Sequence, residues 1–265
     1  NSSGRMSDGY INTPEVYRTI DDTIMIPSYL KEYGVGTKTA YEWGNNNVLE
    51  LQVQFFNDKR GNGVQVFDDF GAYSRHQILS SILKYKGMFN FLKWQINIFD
   101  NSENYFRVYE YMNEGEYKLY EADALRNDRG TQIDMDYYRF KHHKISFGFS
   151  GKKGNVNGND TYYTSTDIIH NAAKMDILAA YIQDDFSIIP NKLTINAGIR
   201  YDYARFYDAS FSIDYPSYSI EFYKSFETAN LSDKKWDALS PRLSICYNLT
   251  KNSRIMASAA RGFRA

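Results

Sequence analysis

Cysteine, histidine, surplus charge and long apolar runs are all scarce in this sequence. Cys246 is the only cysteine among 265 residues, so neither an internal disulfide nor a cysteine-rich metal cluster can form. Four histidines occur without metal-ligand spacing. The formal net charge of −1 removes the basic footprint expected of a nucleic-acid binder. No apolar stretch approaches the roughly 18 residues of a membrane-spanning helix. The mean hydropathy of −0.57 points the same way. Together these exclude a transmembrane helix but leave a β-barrel open, because barrel strands bury only alternate residues in lipid. No nucleophile elbow or phosphate-binding loop is present, and nothing in the chain requires a cofactor.

What the sequence does have is alternation. From Leu193 to Tyr203 every odd position (Leu193, Ile195, Ala197, Ile199, Tyr201, Tyr203) is apolar or aromatic. Every even one (Thr194, Asn196, Gly198, Arg200, Asp202) is small or polar. Successive side chains on a strand point to opposite faces, so this ribbon has one oily and one ionic side. The pattern recurs at Leu49–Phe55, Ile145–Phe149, Leu243–Leu249 and, less cleanly, Ile255–Arg261. Such persistent period-two patterning with no helical stripe predicts an all-β chain.

Turn lengths extend the inference. Short links are expected near 44–47, 86–90, 189–192 and 249–253, and long polar loops at 58–73, 151–174 and 206–237. Tight turns at one end and large loops at the other are the asymmetry of outer-membrane barrels. Strands of about ten residues suit a tilted crossing of a bilayer core about 30 Å thick. The oily face of 193–203 is then lipid-facing and the Arg200/Asp202 face lumenal. Tyr is abundant (24 residues), and Tyr201, Tyr203, Phe206, Tyr207 and Tyr247 are candidates for an interfacial girdle. Roughly ten strands are expected, near 31–43, 48–58, 73–85, 91–111, 116–127, 139–151, 174–188, 192–206, 236–249 and 253–262. Asn101-Ser102 is a candidate break, and 127–138 a candidate link. Neither end resembles a natural terminus, so residues 1–265 are expected to be an interior piece of one larger barrel domain.

The blocks Ala180-Tyr181-Ile182-Gln183-Asp184-Asp185-Phe186 and Asn196-Ala197-Gly198-Ile199-Arg200-Tyr201-Asp202 resemble the barrel of TonB-dependent outer-membrane receptors. So do Leu239 to Leu249 (L-S-P-R-L-S-I-C-Y-N-L) and Ala260-Arg261-Gly262-Phe263-Arg264-Ala265, in that order. Ser7-Asp8-Gly9-Tyr10 resembles a further, shorter barrel motif of that family. The resemblance implies an antiparallel up-and-down transmembrane barrel of 22 strands in the bacterial outer membrane, in contact with lipid and filled by a plug domain. It also implies a TonB partner acting on a box ahead of that plug, and uptake of a scarce solute. Ferric siderophores or similar iron chelates, haem and cobalamin are such solutes, and glycans in the starch-utilisation branch. The plug, the box and the last strands lie outside this sequence, and the family is not enzymatic.

Candidate site residues divide into two groups. Asp184, Arg200, Asp202 and Arg242 are expected as lumenal charges facing the plug, since cross-strand pairs are the usual unit of sheet stabilisation. Tyr162, Tyr163, Phe206, Tyr207, Tyr215, Tyr218 and Trp236 are expected in extracellular loops, where their rings can stack on a solute. Asp184-Asp185 and His142-His143 are neighbours in sequence, point to opposite faces of a strand, and so cannot act jointly on one atom or ion. The Asn155, Asn157, Asn159, Asp160 run lacks the glycine and glutamate positions of a calcium loop. Two other architectures compete: a small self-closed outer-membrane barrel and a soluble β-sandwich adhesin.

Overall fold

The computed structural model describes residues 2–11, 22–44, 46–113, 115–217 and 231–262. It contains β1 (Ser2–Tyr10), β2 (Ser28–Trp43), β3 (Asn47–Gly61), β4 (Tyr73–Phe89), β5 (Leu92–Asn113) and β6 (Glu116–Tyr137). It continues through β7 (His143–Tyr162), β8 (Ile168–Ile189), β9 (Leu193–Asp214), β10 (Lys234–Asn248) and β11 (Arg254–Ala260). All eleven strands lie in one sheet whose spatial order is the chain order. Each pairs antiparallel with its neighbours in sequence. Among the described residues β1 and β11 remain unpaired edges and no second sheet packs on the first, so this is neither a sandwich nor a closed small barrel. Apart from a 3-10 turn at Asp22–Ile24, the described residues contain no helix.

The strands are longer than their alternation suggests. β5, β6, β8 and β9 each have 22 residues, about 70 Å of extended chain where about ten residues cross a bilayer. Asn101 and Ser102 do not break a strand. They pair inside β5 with Asp128 and Asn127, and the Ser80 hydroxyl donates to Asn101 Oδ1 at 2.5 Å. The link expected at 127–138 is the second half of β6, and the loop expected at 151–174 is mostly β7 and β8 around a turn at 163–167. The loop expected from Phe206 begins only after Asp214. The tight links 44–46, 90–91, 138–142, 190–192 and 249–253 share one end of the sheet.

Register carries each face across the sheet. One row runs Tyr201, Ala180, Phe149, Ile133, Ile96, Tyr85, Leu49, Tyr41, all on the outward, oily side. The adjacent inward row runs Ser240, Arg200, Tyr181, Gly148, Asp134, Gln95, Lys86. Within the oily band the buried polar residues Ser146, Asn196, Asp202 and Ser240 sit on the inward face, while outward Ile182 is 53% exposed. A sheet that hides its polar side and presents its oily one is built for lipid outside and a polar lumen inside. Val48, the second residue of β3, shares a row with Arg200, the eighth of β9, a stagger of the kind that strand tilt in a barrel requires.

An aromatic girdle marks the tight-turn end of the outward face. Trp43 and Tyr85 stack at 5.6 Å, Tyr41 lies 5.7 Å from Trp43, and Tyr85 lies 6.3 Å from Trp94. Tyr201, Tyr203 and Tyr247 also point outward, opposite Ala180, Leu178 and Leu193. Phe206 does not belong with them. It opposes Met175 and Lys234 on the inward face, because parity turns it away from its neighbour Tyr207. At Gly148 the Tyr181 ring lies across the strand and its hydroxyl reaches Asp134 Oδ1 at 2.8 Å. A Cβ on Gly148 would stand 2.5 Å from Tyr181 Cε1, so only glycine lets the ring cross here.

Candidate functional site

Above the oily band the inward face changes character. On β5 the inward positions Tyr105, Arg107, Tyr109 and Tyr111 follow one another at every second residue. Opposite them β6 presents Ala124, Ala122 and Tyr120, and β7 adds Gly158, Asp160 and Tyr162. The small residues leave space between rings that the tyrosines occupy. Tyr120 stacks on Tyr162 at 4.9 Å and meets Tyr109 at 5.4 Å, and Tyr109 lies 5.1 Å from Tyr111. The Arg107 guanidinium sits 4.1 Å from the Tyr109 ring centre, and Arg126 lies 5.4 Å from that of Tyr105.

Charge is arranged to keep this wall a donor surface. Burial pushes the Tyr162 phenol well above its ordinary range and also raises that of Tyr120, against the opposing pull of Arg107. Both hydroxyls therefore stay protonated across the physiological range. Burial also raises the Asp160 carboxyl, which Arg107 partly offsets. Toward the band, Glu103 accepts from His76 Nδ1 at 2.6 Å and from Arg126 at 3.4 Å. Asp58, 1% exposed, takes Arg60 Nε at 2.5 Å and the His76 N–H at 3.0 Å. Stacked rings, protonated phenols and fixed guanidinium groups suit a flat, anionic or oxygen-rich solute.

Two clasps hold the surrounding loops. Glu110, on the outward face and fully buried, accepts the N–H groups of Val66, Phe67 and Asp68 at 2.7, 3.0 and 3.0 Å and the Tyr117 hydroxyl at 2.9 Å. Burial alone would raise its carboxyl, but these donors outweigh that and hold it below the usual range. Asp167, also fully buried, accepts from Ser165 and, at 2.6 and 2.5 Å, from the Ser217 N–H and hydroxyl.

With this geometry in place, comparison decides the family. The family description "TonB dependent receptor-like, beta-barrel" matches residues 3–265. The chain belongs to the TonB-dependent receptor β-barrel family. Solved receptors share its fold at low identity. The ferric citrate transporter FecA, in its unliganded form, aligns at TM-score 0.67 and 14% identity, over 87% of this chain and 36% of its own. The ferric yersiniabactin uptake receptor FyuA from Yersinia pestis gives 0.59 and 12%, over 89% and 42%. The copper transporter OprC gives 0.66 and 12%, over 88% and 37%. The receptor barrel described here thus spans well under half the length of these structures. No curated protein matches the sequence.

The candidate residues named from sequence scatter over this receptor barrel. Tyr162 is in the inward tyrosine wall, whereas Tyr163 donates to Glu121 Oε2 at 2.8 Å on the other face. Phe206 and Trp236 face inward, opposite Met175 and Ala204, and Tyr207 faces outward, donating to Asp176 at 3.2 Å. Tyr215 is 72% exposed at the end of β9, its carbonyl accepting from Thr166 at 2.6 Å, and Tyr218 lies outside the described residues. Arg200, Asp202 and Arg242 are together on the inward face, with Arg200 Nε 2.9 and 3.1 Å from the Asp202 carboxylate. Asp184 is not with them. It opposes Ala197 and Ile145 on the outward face beside the tight turns, where it accepts from His143 Nδ1 at 2.7 Å. Its inward neighbour in sequence is Asp185, bonded to Asn196. Tyr105, Arg107, Tyr109, Tyr111 and Tyr120 escaped the sequence reading, although their every-second-residue spacing on β5 was there to be seen.

Proposed function

We propose that this chain forms barrel wall and solute-capture surface of a bacterial outer-membrane receptor that imports a scarce iron chelate with energy supplied through TonB. The observation that carries the reading is the inward Arg107, Tyr109, Tyr120, Tyr162 wall on strands that rise beyond the lipid-facing band. Ferric chelates are compact and oxygen-rich and many are anionic, which matches rings for stacking, phenols for hydrogen bonding and a guanidinium for charge. The solved relatives are named for ferric citrate, ferric yersiniabactin and copper, so the fold accommodates different solutes and the choice rests on this chain's own inward face. A plug domain as partner is supported by the inward face below. There Asn97 Oδ1, Asn196 Oδ1 and Ser240 Oγ are enclosed without a hydrogen-bond partner in this chain, as expected of groups that meet another domain or water in the lumen.

The test is ferric-chelate binding by the intact receptor, read from tyrosine and tryptophan fluorescence. Arg107→Ala and Tyr120→Ala are each expected to weaken binding about tenfold, or about 1.4 kcal/mol, while the protein still inserts in the membrane. Unchanged affinity in both variants would move the capture site elsewhere, and 215–233 would then be the segment to delete. A deletion beginning at Phe206 would remove the end of β9.

A further inference from the structure

On the outward face the positions just beyond the oily band carry charge, and its sign is not uniform. Across β5 to β9 one row reads Asp100, Arg129, Lys153, Asp176, Arg205, in which each cation directly opposes a carboxylate. Across β2 to β4 a row reads Lys31, Lys59, Arg75, three cations on three adjacent strands. Directly opposed residues hold their Cβ atoms about 5 Å apart, and like charges so placed destabilise a sheet. No carboxylate forms an ion pair with any of the three among the described residues, where neighbouring cations such as Arg5, Lys38 and Arg60 each have one. Burial, then the charges of Lys31 and Arg75, hold the Lys59 ammonium below its usual range, and Asp68 offsets only part of this.

Position supplies the missing counter-ion. Two outward steps below this row lies Val35, Phe55, Leu79, the last oily row on these strands. Four residues of strand are about 13 Å, or roughly 9 Å of height at a tilt near 45°. Lipid headgroups occupy about the first 5–8 Å beyond the hydrocarbon core, within reach of lysine and arginine side chains bending back toward it. Rings line the cluster on its far side, with Lys59 Nζ 3.7 Å from the Tyr73 ring centre and 4.7 Å from that of Phe70, and Arg75 5.4 Å from Phe106. Beyond Phe106 the row turns acidic at Asp123, which confines the basic footprint to β2–β4.

We infer that Lys31, Lys59 and Arg75 hold the phosphate-bearing headgroup of an outer-leaflet lipid against the barrel wall. The inference rests on the membrane placement proposed above and is independent of the solute. A phosphate among three cations relieves their mutual repulsion, and the apolar chains of the same molecule lie along Val35, Phe55 and Leu79.

The experiment titrates the detergent-purified intact receptor with bis-phosphorylated lipid A and counts bound lipid by native mass spectrometry. Each cation removed is expected to weaken binding about fivefold, and the Lys31→Gln, Lys59→Gln, Arg75→Gln triple variant on the order of 100-fold. Lys153→Gln, at a position directly opposing Asp176 in the row of mixed sign, is expected to change nothing, and dephosphorylated lipid A to bind as weakly as the triple variant. A heat-modifiable gel band establishes folding, and the single Lys59→Gln variant serves if the triple fails that check. Wild-type affinity in a folded variant overturns the inference, as does displacement of the lipid by millimolar inorganic phosphate. Recovery of the receptor in the soluble fraction would defeat the membrane reading itself. Membrane recovery with unaltered lipid binding would defeat this inference alone.

Discussion

The two halves of β5 obey the same pleat with opposite polarity. From Leu92 to Ile98 its outward residues are Leu92, Trp94, Ile96 and Ile98, and its inward ones Lys93, Gln95 and Asn97. From Asp100 the outward residues are Asp100, Ser102 and Asn104 before Phe106 and a buried Val108 return to that face, while the inward ones pass from Asn101 and Glu103 to Tyr105, Arg107, Tyr109 and Tyr111. Backbone geometry is continuous through the change, so the medium dictates the pattern. Below the change lipid lies outside and a polar lumen inside. Above it water lies outside, and the rings turn inward to meet one another.

The strongest way to break this comparison is to put one charge on each half of the outward face. Ile182 lies between Ile199 and Phe147 in the middle of the oily band. Ile182→Arg is expected to cost about 2–4 kcal/mol, the penalty for arginine near a bilayer midplane. Asn104→Arg, on the outward face above the change, should stay within about 0.5 kcal/mol. Urea unfolding of the intact receptor in phospholipid vesicles reads both. Equal costs would mean that the reversal of polarity does not mark the edge of the membrane.

A smaller effect is expected on the inward side of the band, where packing rather than lipid is at stake. Gly148→Val would drive a Cβ to 2.5 Å from Tyr181 Cε1 and 2.6 Å from the Ile133 carbonyl. Overpacking of this kind costs about 1–3 kcal/mol. Tyr181→Phe, which removes only the bond to Asp134, should cost about 1 kcal/mol. If the glycine substitution proves as mild as the hydroxyl deletion, the ring does not depend on the gap beneath it.

The same reversal explains what could be read in the sequence. Within the band the oily alternation at 193–203, 49–55 and 145–149 is unbroken, and it located strands, faces and the tight-turn end. It also grouped Arg200, Asp202 and Arg242, which share one face in the register. Asp184 failed because a polar residue was taken to face the lumen, when register with Ala197 and Ile145 puts it outward at the interface with His143. Above the band the outward face turns polar, so period-two hydrophobicity fades although the strand continues. Asn101-Ser102 and 151–174 then read as breaks or loops, whereas 127–138 was taken for a link although Ile133, Met135 and Tyr137 alternate on the outward face within the band. The tyrosine wall joins β5, β6 and β7 through long-range pairing, and no local window contains Tyr109, Tyr120 and Tyr162 together.

The mildest expected effect concerns a contact that the upper half needs and the lower half does not. Above the membrane, 62–72 is tied down by Glu110, whose carboxylate gathers three consecutive backbone N–H groups and the Tyr117 hydroxyl. Glu110→Gln keeps the shape but loses the charge, which should loosen the loop by about 1–2 kcal/mol without unfolding the barrel. Because the folded carboxyl lies below its ordinary range, the clasp is complete above the unfolded value of about 4.3 and is lost as pH falls through the lower folded one. At the other limit, burial and Glu110 push the Tyr117 phenol up to about 12, so its share is complete below about pH 10 and is lost as pH rises through about 12. Amide exchange in 62–72, taken relative to the intrinsic rate at each pH, should therefore be slow on a plateau between these limits and rise toward acid. In the glutamine variant the acid limb should vanish and the plateau rise. An acid limb that survives the substitution would assign the loop's pH response to another group.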